Sequence, residues 1–248
     1  MISIRGLTKR LGSKQVLDGL DLDIEKGETI VVLGPSGTGK SVLLKHIIGL
    51  MVPDAGSIEI DGENIVGMKE TELDNVRKRF GMLFQGSALF DSMNVGENVG
   101  LALVEHTKMK QREIDLRVRE RLEWVGLKGV ETMQPASLSG GMRKRAALAR
   151  AIAMDPQFIL YDEPTTGLDP IMSDVINQLI RSLQSRLGVT SVVVTHDLTS
   201  AFTVADRVAM LYGGRVIFQG TPDDVRRTTD PLMRQFIEGS SEGPIQPV

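Results

Sequence analysis

The segment Gly34-Pro35-Ser36-Gly37-Thr38-Gly39-Lys40-Ser41 has the residue types and spacing of a loop that holds phosphate. Its glycines let successive backbone N–H groups turn inward around an oxyanion, and a helix starting at the loop's end adds its partial positive charge. Lys40 can then reach the β- and γ-phosphates of a nucleotide, while the Ser41 hydroxyl can ligate Mg²⁺. A glycine-rich turn can match this pattern by accident, but the flanking residues argue otherwise. Thr29-Ile30-Val31-Val32-Leu33 reads as a buried parallel strand entering the loop. Beyond Lys40, residues Leu43, Leu44, Ile47 and Ile48 line one helical face, and Gly49 marks its end.

Two further segments carry chemistry. Phe158-Ile159-Leu160-Tyr161-Asp162-Glu163 is an apolar strand ending in two acids. In isolation such an end is an ordinary solvated one. With a phosphate loop in the same chain, Asp162 is expected to hold Mg²⁺ directly or through water, at the sheet edge where α/β proteins bind ligands. Glu163 is expected to polarise an attacking water as general base. Leu138-Ser139-Gly140-Gly141-Met142 opens a helix, so a hydroxyl and unpaired N–H groups meet at its positive end. Alone, Ser139 reads as a simple N-cap.

The elements that must position these groups alternate between strand and helix. Ser57-Ile58-Glu59-Ile60 alternates with period two before the turn Asp61-Gly62. The stretch from about Gly86 to Asp155 is charged and helical, with Ile114, Val118, Leu122 and Val125 on one stripe between Lys110 and Val125. Thr190–Val194 reads as a strand, Ser173–Arg186 as a helix, and Gly213-Gly214 as a hairpin turn between 207–212 and 215–219. This pattern predicts an α/β core with an inserted helical subdomain. From Ser240 the chain holds Gly243, Pro244 and Pro247 and reads as extended; Ile245 and Val248 would suit an arm laid on a neighbouring protomer.

Composition removes several classes. The chain has 248 residues, 41% hydrophobic and 25% charged, which is ordinary for a globular protein. It contains no cysteine, so thiol catalysis, disulfides and Cys-based zinc sites are excluded. No apolar run reaches the length of a membrane-spanning helix, and the N-terminus lacks a secretory pattern. With 29 basic and 32 acidic residues the net charge is −3, which argues against a nucleic-acid partner.

Taken in order, the motifs resemble those of the ATP-binding-cassette (ABC) ATPases over residues 1–238. Leu138–Met142 is similar to the family signature Leu-Ser-Gly-Gly-Gln, departing at Met142. Gln85, after Met82-Leu83-Phe84, matches the loop glutamine that touches Mg²⁺ and senses the transport partner. Gly167-Leu168-Asp169-Pro170 is similar to the loop coupling two sites, and His196 to the histidine that contacts the γ-phosphate. His46 and His106 have no such context. The resemblance implies a P-loop NTPase (RecA-like) core with an antiparallel β subdomain and an α-helical subdomain at about 86–157, followed by the tail 239–248. It implies ATP and Mg²⁺ as ligands and a head-to-tail dimer with a second copy of this chain. Ser139, Gly140 and Gly141 of one copy would then meet the phosphates held by Lys40 of the other. Both Glu163 and His196 are present, so turnover is expected rather than binding alone. The family's adenine-stacking aromatic is missing near Leu11; Arg10 must stack instead, or Leu11 and Val16 supply a weaker apolar contact.

The stretch Phe84–Val95, with Met142 and the ending Phe236–Gly239, is similar to ATPases of the mammalian-cell-entry (MCE) lipid transporters of bacteria. That resemblance implies a membrane permease and an MCE lipid-binding subunit as partners, and a peripheral place on the cytoplasmic face of the inner membrane. An importer of polar solutes is the alternative. Soluble relatives acting on DNA or ribosomes carry two cassettes or a long coiled coil, and neither fits this chain.

Overall fold

The structure, a computed structural model, describes residues 1–245. From the N-terminus come β1 (Ile2–Leu11), β2 (Lys14–Ile24), β3 (Thr29–Leu33), α1 (Lys40–Ile47), β4 (Ala55–Ile60), β5 (Glu63–Asn64) and α2 (Glu70–Arg77). Next are β6 (Phe80–Leu83), α3 (Val95–His106), α4 (Gln111–Trp124), α5 (Gly140–Ala151), β7 (Phe158–Asp162) and α6 (Pro170–Leu187). The last described elements are β8 (Thr190–Thr195), α7 (Leu198–Val204), β9 (Arg207–Tyr212), β10 (Arg215–Gly220), α8 (Pro222–Arg227) and α9 (Pro231–Glu238). They form two compact units, one of residues 1–74 with 190 onward and one of 75–189. No helix among the described residues is long and apolar enough to cross a membrane.

The first unit holds an antiparallel sheet in the order β2-β1-β4-β5. Register places Ile2 opposite both Ile24 and Ile60, and Ile4 opposite both Leu22 and Ile58. All six are buried, so alternation puts one apolar face on the core. The other face is polar, with the Ser3 hydroxyl donating to Asp23. In the same unit β3 lies between β8 and β9, parallel to both, with Leu33 opposite Thr195 and Met210. Every residue of β3 and β8 is buried, as strands covered on both faces require. β10 returns antiparallel to β9 across Gly213-Gly214, the expected hairpin.

In the second unit β6 and β7 pair in parallel, Phe80 opposite Phe158, and those rings stack with centroids 4.8 Å apart. A Cβ on Gly81 would lie 2.2 Å from the Ala151 carbonyl oxygen, so β6 runs hard against the end of α5. A Cβ on Gly100 would lie 3.2 Å from Ile114 and Val118, which packs α3 closely on α4. Behind this core Arg121, 2% exposed, pairs with Asp155, and its guanidinium sits 3.9 Å from the Trp124 ring centre.

Several boundaries differ from the sequence reading. The strand before Gln85 is Phe80–Leu83, so Phe84 lies beyond it. α6 begins at Pro170, three residues early, because Asp169 caps it and proline suits its first turn. α3 follows an Asn94–Glu97 capping box that the period reading passed over. Residues 240–245 bend rather than extend: the Gln235 amide donates to the carbonyls of Ser240 and Ile245 and accepts from the Ile245 N–H. Ile245 is thus half-buried on its own chain; Val248 falls outside the described residues.

Candidate nucleotide-binding and hydrolysis site

In the first unit the loop Gly34–Gly39 joins β3 to α1. Gly37 (φ +79°) and Gly39 (φ +102°) adopt left-handed conformations that only glycine takes without strain. A Cβ on Gly39 would lie 2.9 Å from Val16 Cγ1, and one on Gly34 would lie 2.4 Å from the Leu211 carbonyl oxygen. The loop is therefore clamped from both sides, with buried Val16 under its end. Gly39 stands at the N-cap of α1 and offers no side chain to cap it, and no acid occupies the first turn. That leaves the positive end of α1 facing a position suited to an anion. Lys40, 6% exposed, donates to the carbonyls of Gly34 (2.7 Å) and Pro35 (3.1 Å). Thr38 Oγ1 also donates to Pro35, closing the turn that contains Ser36. Ser41 is half-buried on the first turn of α1.

Because β3 and β8 run in parallel register, Gly34 and His196 leave the sheet at the same edge. His196 is exposed there, and Asp197 beside it caps α7 through Thr199 N–H and Ser200 Oγ. Leu11 lies at the tip of the β1–β2 hairpin, 43% exposed. Arg10 is tethered, its backbone N–H donating to Asp54 and its Nε lying 3.4 Å from Gln15 Oε1.

In the second unit the parallel register of β6 and β7 puts exposed Gln85 and buried Asp162 at one edge. Asp162 and Glu163 are 7% and 8% exposed. Glu163 has φ +47°, a left-handed conformation in a non-glycine residue, held in a turn where Thr166 Oγ1 donates to its carboxylate at 3.2 Å. The signature opens α5: Ser139 Oγ accepts the Met142 N–H at 3.2 Å, which leaves its own hydroxyl proton to donate elsewhere. Ser139 and Gly140 are exposed, and Gly141 is buried so tightly that a Cβ would meet Met172 at 2.5 Å. Gly140 faces Leu168, so the signature lies against the 167–170 loop. Asp169 uses Oδ1 to accept both Ile171 and Met172 N–H groups, making it the cap of α6.

The sequence reading missed Lys144 and Arg150. Lys144 Nζ donates to the carbonyls of Gln85 (2.6 Å) and Glu163 (3.2 Å). Burial pushes its ammonium below the ordinary lysine range, opposed by the charges of Asp162 and Glu163. Arg150 donates to the carbonyls of Ala88 (2.6 Å) and Ser87 (2.9 Å). Both are basic residues in an alanine-rich helix, and no local signal separates them from Arg143 or Arg145.

Among the described residues no group of three or more His, Cys, Asp or Glu could hold a metal by itself. In the second unit Gln85 offers an amide oxygen and Asp162 a carboxylate, and in the first unit Ser41 offers a hydroxyl; each is a hard oxygen donor of the kind Mg²⁺ takes.

The ABC transporter family pattern matches residues 17–166. The chain is 47% identical over 98% of its length, and 70% of the relative's, to the "Probable ribonucleotide transport ATP-binding protein mkl" of Mycobacterium leprae. It is 42% identical over 99% of its length, and 91% of the relative's, to the "Intermembrane phospholipid transport system ATP-binding protein MlaF" of Escherichia coli K12. Among solved structures, the dimeric cassette MJ0796 in a post-hydrolysis state with ADP and phosphate superposes with a TM-score of 0.83 at 33% identity, covering 90% of this chain and 99% of that one. The chain belongs to the ABC transporter family as one of its ATPase cassettes.

Proposed function

We propose that this cassette hydrolyses ATP between two copies of itself to drive a membrane permease, and that the cargo is a phospholipid or related hydrophobic molecule. Lys40 exchanges its carbonyl contacts for oxygens of the β- and γ-phosphates, and the N–H groups of residues 36–41 wrap the β-phosphate. Ser41, Gln85 and Asp162 would hold Mg²⁺, which would supply positive charge to stabilise the phosphates during hydrolysis. Glu163 accepts a proton from the attacking water, and His196 contacts the γ-phosphate. The Ser139 hydroxyl and the N–H groups of Gly140 and Gly141 come from the partner copy, with Asp169 beside them. The exposure of Ser139 and Gly140 at the start of α5 supports that role, since they need a second chain to face a nucleotide. Leu11 and Val16 border the base.

Glu163→Gln tests the chemistry. It keeps the groups that bind ATP and removes the base, so ATP affinity should persist while turnover falls at least about a hundredfold. Turnover at the wild-type rate would overturn the assignment.

The cargo reading rests on the likeness to MlaF, which spans nearly the whole of both chains. We infer further an MCE-type lipid-binding subunit as partner and a place on the cytoplasmic face of the inner membrane, from the resemblance of Phe84–Val95 to ATPases of MCE transporters. The relatives named for ribonucleotide transport define the competing cargo, a polar solute. Purifying the chain with its membrane partners separates the two. A permease and an MCE subunit carrying bound phospholipid support the proposal. A permease with a solute-binding protein, whose ATPase responds to ribonucleotides and not to phospholipid, overturns it.

A further inference from the structure

Besides Asp155 (φ +50°), three described non-glycine residues of the second unit, Ser87 (φ +65°), Ala88 (φ +49°) and Glu163 (φ +47°), adopt left-handed backbone conformations. Such strain persists only where the surroundings over-determine it. Here the carbonyls of all three, and that of Gln85, are gripped by two side chains of one helix, Lys144 and Arg150 of α5. Lys144 is 5% exposed, so its donors have no bulk water to turn to. An ammonium kept at such depth is costly unless its hydrogen bonds are specific. It bridges the carbonyl of the residue read as the general base and the carbonyl of the residue read as a Mg²⁺ ligand. It also stands three residues after Gly141, hence on the same side of α5 as the buried signature glycine.

We propose that Lys144 is a positioning residue for hydrolysis, tying the backbones of Glu163 and Gln85 to the signature helix so that α5 sets both groups together. The proposal rests on the reading of Glu163 as general base. Anchoring the Glu163 carbonyl restricts rotation of the peptide that follows it, and so the directions its Cα–Cβ bond can take. A tilt of α5 when its N-terminus engages phosphate would carry the same chain's Glu163 and Gln85 with it. Each nucleotide site would thereby report its occupancy to the other through a buried ammonium.

The test measures kcat and KM for ATP in the full chain with its transport partners, alongside ATP affinity. Lys144→Met keeps the length of the side chain and removes its donors. It should lower kcat about tenfold to a hundredfold, the scale of a misplaced catalytic group, with KM within about threefold. Lys144→Arg, which keeps charge and donors, should recover most of that loss. In a Glu163→Gln background, single-turnover hydrolysis should change less than about twofold on adding Lys144→Met, because the base it aims is gone. Equal losses in both backgrounds, a change in KM alone, or Met and Arg variants that behave alike would overturn the proposal. If Lys144→Met does not fold, Lys144→Gln, which retains a donor amide without charge, enters the same comparison. Wild-type turnover in Glu163→Gln alone would instead overturn the reading of the base, and this proposal with it.

Discussion

Gly39→Ala isolates the constraint that shapes the phosphate loop. Two costs arise from one methyl group. A left-handed φ of +102° in a residue with a Cβ costs about 1–3 kcal/mol. The methyl would also lie 2.9 Å from Val16 Cγ1 and 3.1 Å from the Val16 carbonyl oxygen. Ordinary contact is several tenths of an ångström longer, and overpacking of this kind costs about 1–3 kcal/mol. A sum near about 4 kcal/mol lowers Tm by about 8–16 °C for a chain of this size. Part of the strain can be relieved by turning the loop peptides away from the phosphate position. In that case Tm falls less and ATP affinity falls more, about tenfold for each 1.4 kcal/mol transferred. Calorimetry without nucleotide and titration with ATP measure the two shares. Gly37→Ala is the control, because φ is +79° there but nothing lies within 4 Å of the added Cβ, so only the backbone cost remains. Val16→Ala completes the argument: in the Gly39→Ala background it should cost about 1 kcal/mol less than in wild type, since it removes the atom that clashes. Unchanged Tm and ATP affinity in Gly39→Ala, or strict additivity with Val16→Ala, would refute the reasoning.

Three other expectations are open to direct measurement. Asp155→Asn suits the φ of +50° at that position but strips the buried Arg121 guanidinium of a charged partner, and should cost about 1–3 kcal/mol in urea denaturation. His46 is buried on α1, and burial, then the Lys9 charge, lower its pKa against the opposing Val42 carbonyl. The unfolded chain therefore takes up that proton first, so this contribution is complete above about pH 6.5 and is lost as pH falls toward the depressed folded value. His46→Gln should flatten the urea midpoint between pH 7 and 5.5, and an unchanged slope counts against the argument. Leu11, 43% exposed at the hairpin tip, has no polar side-chain atom with which to tell one purine edge from another, so Kd values for ATP and GTP should agree within about tenfold.

Much of the fold is legible in short windows of the chain. The strand Thr29–Leu33 and the helix from Lys40 follow from β-branched runs and a 3.6-residue stripe, because a buried parallel strand and an amphipathic helix each impose their own periodicity. The α4 stripe from Lys110 to Val125 is legible for the same reason, and its two end residues are the caps. β1 is harder to read, since register shifts between Ile4 and Leu7 interrupt its alternation. The early start of α6 needed a capping argument, not a periodic one, because Asp169 and Pro170 act through single N–H groups.

By itself the sequence determined the chemistry on offer: a glycine-rich loop ending in Lys40 and Ser41, two acids closing an apolar strand, and a serine–glycine helix start. Each is a contiguous run whose spacing along the backbone is its geometry. Only the tertiary structure decided what holds those runs in shape. Val16 closes under Gly39 from 23 positions away, Leu211 approaches Gly34 from the far end of the chain, and Lys144 joins the carbonyls of Gln85 and Glu163. These contacts depend on packing between segments remote in sequence, where a lysine that anchors and a lysine that is merely solvated look alike until burial separates them.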